Sequence, residues 1–145
     1  MKNNREFGYF GEGVACDLLR QKGYGIVQRN YYASGGEIDV IAKNEKTMVF
    51  CEVKTRYNGS SLRFGRPAAA VDARKQSAVS GAAKQYLFDH PCKLLPRIDV
   101  IEIIVSTHTD TEGKTWYFID GINHIENAVA LSAAVRFGAK DRRMV

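Results

Sequence analysis

Charged residues stand in two largely apolar segments: Glu37 and Asp39 in "GEIDVIA", and Glu52, Lys54 and Arg56 in "VFCEVKTR". Paired carboxylates suit a hard cation such as Mg²⁺ or Mn²⁺, which prefers oxygen ligands and keeps several waters. The backbone carbonyl of Val53 is a further candidate ligand. A lysine beside the cation can orient or deprotonate a water and offset the charge of a phosphate. These residue types predict metal-assisted phosphodiester hydrolysis, with Asp39 and Glu52 as metal ligands and Lys54 as the catalytic helper.

The two segments read as consecutive strands joined by a polar turn. Side chains alternate along a strand, so the turn decides whether Asp39 and Glu52 share a face. Pairing Thr47 with either Ala42 or Asn44 brings both carboxylates to one face, whereas an odd turn or a bulge separates them. A second interpretation is a ladder of acids and lysines on a solvated sheet face, which contributes little energy. The sequence leaves these alternatives open.

The remaining segments predict the elements that must position these strands. Apolar residues at helical spacing predict helices over residues 5–22 and 72–88, with Asp72 as the N-cap of the second. Strands are predicted at residues 24–32, 36–42, 47–56, 97–105 and 115–120, followed by a short amphipathic segment at 122–131 and a basic tail at 136–145. This order predicts one α/β domain with helices packed on a mixed sheet.

Composition limits the class of protein. The chain has 145 residues and a formal net charge of +5, which favours an anionic partner such as nucleic acid. No apolar run is long enough to span a membrane, and the N-terminus lacks the features of a secretory signal, so we expect a cytoplasmic protein without membrane contact. Three widely spaced cysteines predict small buried hydrophobic side chains in a reducing compartment.

Several motifs in order carry a family resemblance: "GEGVACDLL", "GYGIVQRNY", "GGEIDVIA", "VFCEVKTR", "AVDARKQ" and "RIDVI". The chain resembles the small bacterial YraN-like family of the PD-(D/E)XK nuclease superfamily, an uncharacterised group related to archaeal Holliday-junction resolvases. The resemblance implies a restriction-endonuclease-like, three-layer α/β fold with a central mixed sheet flanked by helices. The proline of the superfamily pattern is absent, because Ile38 precedes the aspartate.

The resemblance also implies roles for individual residues. It maps the metal-binding acids onto Asp39 and Glu52, the catalytic lysine onto Lys54, and an N-terminal helical acid, a further metal ligand, onto Glu12. Gln76 matches a polar residue that some relatives place near the site. Since the resolvase-like relatives work as symmetric pairs, a homodimer is also an open option.

Basic residues lie on both sides of the predicted site along the chain and are candidates for binding a nucleic-acid backbone. They are Arg29, Arg56, Arg63, Arg66, Arg74 and Lys75. Together with the acids and the lysine they predict a Mg²⁺- or Mn²⁺-dependent endonuclease acting on DNA, with branched or otherwise structured DNA as one option. Two alternatives are a nucleic-acid-binding protein that keeps the nuclease fold without its chemistry, and a protein-interaction domain with an incidental basic patch.

Overall fold

The computed structural model describes residues 4–59 and 73–131. Its elements are α1 (Asn4–Gln21), β1 (Gly25–Ala33), β2 (Gly36–Lys43), β3 (Thr47–Tyr57), α2 (Ala73–Asp89), β4 (Leu95–Thr109) and β5 (Thr115–Val129). Both predicted helices and all five predicted strands are present; most ends differ by a few residues, but β5 continues far beyond its predicted end at residue 120. The predicted cap Asp72, most of the loop before it and the basic tail lie outside the described residues.

The five strands form one sheet in the order β1-β2-β3-β4-β5. Every neighbouring pair is antiparallel except β3 and β4, which run parallel. Parallel neighbours need a long crossover connection, and α2 lies in this one. The sheet is therefore mixed, as the resemblance implied.

Within residues 4–59 and 73–131, one helix packs on each face of the sheet. On one face, Ala15, Cys16 and Leu19 of α1 pack against a cluster that includes Val49 and Cys51 of β3. On the opposite face, α2 packs against a second cluster, whose centre includes Phe50 of β3 and its neighbours Ile41 and Ile98. Successive residues of β3 thus point to different helices, as strand alternation requires. The prediction of a three-layer, restriction-endonuclease-like fold is confirmed.

Residues 122–131, predicted as a separate amphipathic segment, instead continue β5 to Val129. Ile122 lies opposite Ile103 of β4, and Ile125 lies opposite Val100. Two register shifts interrupt this pairing, one between Ile104 and Val105 and one beside Ile98. Because each irregularity breaks the two-residue alternation of a strand, the apolar pattern of this half of β5 did not identify it as a strand.

Asp99 of the "RIDVI" motif fastens β5 to β4 at one of these irregularities. It is completely buried, and its carboxylate accepts two hydrogen bonds from Arg97 at 2.9 Å. The carboxylate also accepts a hydrogen bond from the backbone N–H of Asn127 and lies 2.8 Å from His124 Nε2. Burial opposes ionisation, but the hydrogen bonds from His124 and Arg97 outweigh it and lower the pKa of Asp99. The aspartate of this motif therefore has a structural role.

Two expectations from composition can be compared with the fold. No helix in residues 4–59 or 73–131 is long and apolar enough to cross a membrane. Cys16 of α1 and Cys51 of β3 are free thiols buried in the cluster between that helix and the sheet, whereas Cys92 is free and exposed in the loop after α2. The expectation of buried cysteines is thus wrong for Cys92, which lies beyond the apolar stripe of the helix.

Candidate functional site

The turn between β2 and β3 has an even length. The backbone N–H of Asn44 donates to the Thr47 carbonyl at 3.0 Å, and the Asn44 side-chain oxygen accepts from the N–H groups of Lys46 and Thr47. This asparagine-based turn fixes a register in which Val40 pairs with Cys51. Continued by one pair, that register places Asp39 opposite Glu52. Two pairings were expected to put both acids on one face, and the structure has the one in which Asn44 pairs with Thr47.

The two strands separate at this point, and we call the gap between them the fork, formed by Asp39, Glu52 and Val53. The ladder between β2 and β3 ends at Val40 and Cys51; beyond it, β2 stays paired with β1, and β3 with β4. In place of the next ladder bond, the Val53 N–H donates to Asp39 Oδ2 at 2.7 Å. The fork therefore forms a cleft between β2 and β3, and the carboxylates of Asp39 and Glu52 lie at this cleft.

Both acids of the fork are buried: Asp39 is 9% exposed and Glu52 is 5% exposed. Burial and the negative charge of Glu52 raise the pKa of Asp39 to about 7, although the hydrogen bond from Val53 opposes the shift. Glu12 and Glu37 add smaller unfavourable charges. In the protein without a cation, the fork thus holds more negative charge than its surroundings compensate.

Two lysines approach the fork on the α2 side of the sheet. Lys54 Nζ lies 3.8 Å from Glu52 Oε2, and Lys75 Nζ of α2 lies 3.1 Å from the same oxygen. Burial disfavours the ammonium of Lys75, but the charge and hydrogen bond of Glu52 outweigh it and raise the pKa of Lys75. The sequence predicted that Lys75 binds the backbone of a nucleic acid, and in the structure Lys75 also contacts the Glu52 carboxylate directly.

Glu12 reaches the same region from α1. Its carboxylate lies 3.4 Å from Arg29 Nη2, and that guanidinium also stacks over the ring of Tyr9 at 4.5 Å. Burial raises the pKa of Glu12, while Arg29 opposes the shift. A close approach of α1 to β3 fixes this position, since a Cβ on Gly11 would overlap the side chain of Thr55. The inward placement expected for Glu12 is therefore observed.

The donor set of the fork suits a cation that keeps much of its water. Within the two described ranges, no group of three or more His, Cys, Asp or Glu side chains converges as a metal site. A metal-binding role for Glu12, as a third carboxylate, therefore stays a prediction. The N–H and C=O of a strand residue face the same neighbour, so the Val53 carbonyl also faces the Asp39 side. Two carboxylates and one carbonyl fit Mg²⁺, which is usually bound by few protein ligands plus water.

The other predicted nucleic-acid-binding residues have different surroundings. Arg56 Nε lies 2.7 Å from Glu102 Oε2 of β4, so this arginine is held against the sheet. Arg74 is exposed in the first turn of α2, next to Lys75. Gln76, predicted as a polar residue of the catalytic site, is also exposed, on the other side of Lys75. Arg63 and Arg66 lie outside the described residues.

Glu102 is a buried acid of this region that sequence reasoning missed. It is 1% exposed, lies beside Lys54 in the parallel register of β3 and β4, and accepts a hydrogen bond from Asn123 at 3.0 Å. The signal was present, because a glutamate inside the apolar run "VIEIIV" poses the same problem as the acids of the preceding strands. Glu102 orients Arg56 next to Lys54.

Replacing Glu102 by alanine is expected to lower the free energy of unfolding by about 2 kcal/mol, because Arg56 and Asn123 lose a buried partner. Chemical denaturation measures the change. Glu112→Ala, in the exposed turn between β4 and β5, is the control and should have almost no effect. Equal stabilities of the two variants would contradict an energetic role for the Arg56–Glu102 pair.

Comparison with known proteins agrees with the resemblance seen in the motifs. The chain is 42% identical to a UPF0102 protein of Syntrophomonas wolfei over 127 residues, which cover 86% of this chain and 98% of the relative. It is 40% identical to a UPF0102 protein of Caldicellulosiruptor bescii over 125 residues, covering 85% and 91% of the two chains. The model of the uncharacterised protein family UPF0102 matches residues 11–103, which include the fork. The chain belongs to this family.

Proposed function

We propose that this protein is a metal-dependent endonuclease that hydrolyses phosphodiester bonds in DNA. The observation that carries the proposal is the fork, where buried Asp39 and Glu52 face each other with the ammonium of Lys54 3.8 Å from Glu52. Two carboxylates buried together are unfavourable on their own, which is reflected in the raised pKa of Asp39, and such clusters are typical of functional sites.

In this proposal Asp39, Glu52 and the Val53 carbonyl hold Mg²⁺ or Mn²⁺. When bound, the cation supplies Lewis-acid stabilisation of the charge that develops on the scissile phosphate. Lys54 lies at the rim of the fork, where its ammonium orients the attacking water or a phosphate oxygen. Lys75 and Arg29 place positive charge on the two helix sides of the cleft, which favours the approach of a polyanion.

The test is cleavage of a panel of labelled duplex, single-stranded and four-way-junction DNAs in Mg²⁺ or Mn²⁺. Lys54→Ala is expected to reduce cleavage of the preferred substrate by a factor of about 10²–10⁴. Lys93→Ala removes an exposed lysine from the loop after α2 and serves as the matched control. Equal cleavage by wild type and Lys54→Ala would contradict the proposed role of Lys54, and absence of any cleavage would contradict the enzymatic proposal.

A second candidate is a nucleic-acid-binding protein that performs no chemistry. One observation favours it: Lys75 contacts the Glu52 carboxylate at 3.1 Å, so an internal ammonium already compensates part of the charge that a cation would neutralise. This candidate predicts salt-dependent DNA binding that survives Asp39→Asn and Glu52→Gln. Under the endonuclease proposal, the same variants bind DNA but do not cleave it. Cleavage by the wild type therefore distinguishes the endonuclease from the binding protein.

A further inference from the structure

A cavity of about 520 Å³ lies beside the fork, between α2 and the turn that joins β1 to β2. Lys75 lines it and also contacts Glu52, so the cavity adjoins the site of the proposed chemistry. Its volume is within the range typical of small-molecule subsites. None of the roles proposed above uses this cavity.

The floor of the cavity is formed by backbone. Ser34 and Gly35, with φ of 54° and 77°, make a tight two-residue turn, and Gly36 follows it against α2. A Cβ on Gly36 would overlap the Ala78 carbonyl, so the turn and the helix are in direct backbone contact. Gly35 carries no side chain, and a Cβ there would meet nothing within 4 Å, so the space beside the turn stays open.

The wall carries an exposed aromatic ring beside a carboxylate. Tyr32 is 69% exposed and pairs across the hairpin with Glu37. A hydrogen bond from its hydroxyl to the Glu37 carboxylate raises the pKa of Tyr32 and holds the ring at the mouth of the cavity. On the α2 side, Lys75 supplies a hydrogen-bond donor. The cavity thus offers a flat apolar surface, one strong acceptor and one cationic donor.

A nucleobase matches this set of groups. Every base has a π-face that stacks on an aromatic side chain, and its Watson–Crick edge carries N–H donors that a carboxylate accepts. A base within a duplex presents neither its face nor that edge, so only an unpaired or extruded base can enter. We propose that this cavity binds one unpaired base of a DNA strand, stacked on Tyr32 and hydrogen-bonded to Glu37. The inference rests on the proposed function, because it assumes that DNA lies across the fork.

The experiment measures binding with a fluorescent base, 2-aminopurine, whose emission falls when it stacks. The probes are a duplex with one bulged 2-aminopurine, the same duplex with the 2-aminopurine paired, and free 2-aminopurine deoxynucleoside monophosphate, all in EDTA to prevent cleavage. Wild type and Tyr32→Phe are expected to quench the bulged probe, while Tyr32→Leu binds it about tenfold more weakly. Phe88→Leu, at the far end of α2 and also exposed, is the aromatic control and should equal wild type.

Three results would overturn the inference. Tyr32→Leu could bind the bulged probe as tightly as wild type, the paired probe could be quenched equally, or the free nucleotide could bind as tightly as the strand. Since Tyr32 is an exposed residue, the leucine variant should fold normally, which circular dichroism checks. Cleavage of the DNA panel in Mg²⁺ is measured separately: cleavage without a Tyr32 effect removes this inference alone, whereas no binding and no cleavage removes the proposed function as well.

Discussion

Replacing Asp39 by asparagine is expected to remove Mg²⁺-dependent cleavage and, at the same time, to stabilise the metal-free protein. Loss of one of the two carboxylates of the fork should reduce cleavage by a factor on the order of 10³. The stabilising effect follows from the burial of Asp39 opposite Glu52. An asparagine keeps an oxygen that can accept the Val53 hydrogen bond, but it carries no charge.

The pH dependence gives the sign of the stability effect. The pKa of Asp39 is about 7 in the folded protein and 3.8 in its ordinary state, so the folded state holds the proton more tightly. The contribution of Asp39 to stability is therefore full below pH about 4 and is lost as the pH rises through 7. At pH 8 in EDTA, the asparagine variant should be more stable than wild type by about 1–2 kcal/mol, and at pH 4 the two should be similar.

Thermal unfolding in EDTA at the two pH values measures this difference. Asp17→Asn is the matched control, since the Asp17 side chain is 74% exposed and pairs with Arg20 across one helical turn. An asparagine variant that is less stable than wild type at pH 8 would show that the Asp39 charge is well compensated. An asparagine variant that still cleaves DNA would exclude Asp39 as a required metal ligand.

Replacing Gly36 by alanine is expected to destabilise the protein by about 3 kcal/mol or more. The added Cβ would overlap the backbone carbonyl of Ala78, which belongs to α2 and cannot move independently of the helix. The hairpin of β1 and β2 would have to separate from α2, which also carries Lys75. We expect the midpoint of thermal unfolding to fall by roughly 10 °C.

Gly13→Ala is the control for this glycine. A Cβ at this position of α1 meets nothing within 4 Å, so alanine should stabilise the protein by up to about 1 kcal/mol through its better helix propensity. Opposite signs for the two substitutions would confirm that the contact, and not the glycine itself, matters at Gly36. A neutral Gly36→Ala would show that the hairpin does not pack against α2 as closely as the structure has it.

The sequence predicted the fold and the location of the site better than it predicted the strand register and the individual contacts of the site. Apolar residues at helical spacing identified both helices, and apolar or β-branched runs bounded by turn residues identified the strands, although β5 was identified only in its first part. The acids of the fork were found because a charge in an apolar strand needs an explanation. Which acids face each other depended on the hydrogen bonds of Asn44, a local geometry that the residue pattern left open. The irregular half of β5 and the contact between Lys75 and Glu52 depend on tertiary pairing, which no local pattern contains.

The bond from the Val53 N–H to Asp39 has a consequence for the history of the family. The Asp39 side chain accepts a hydrogen bond that a backbone carbonyl would accept in a regular sheet. Selection for folding alone would therefore retain a hydrogen-bond acceptor at position 39, even in a relative without activity. Lys54 is about 30% exposed and its described ion pair is with Glu52 at 3.8 Å, so folding constrains it far less. If the proposed endonuclease activity is correct, a relative that keeps the aspartate but lacks this lysine is expected to be inactive, so the lysine is the better indicator of activity.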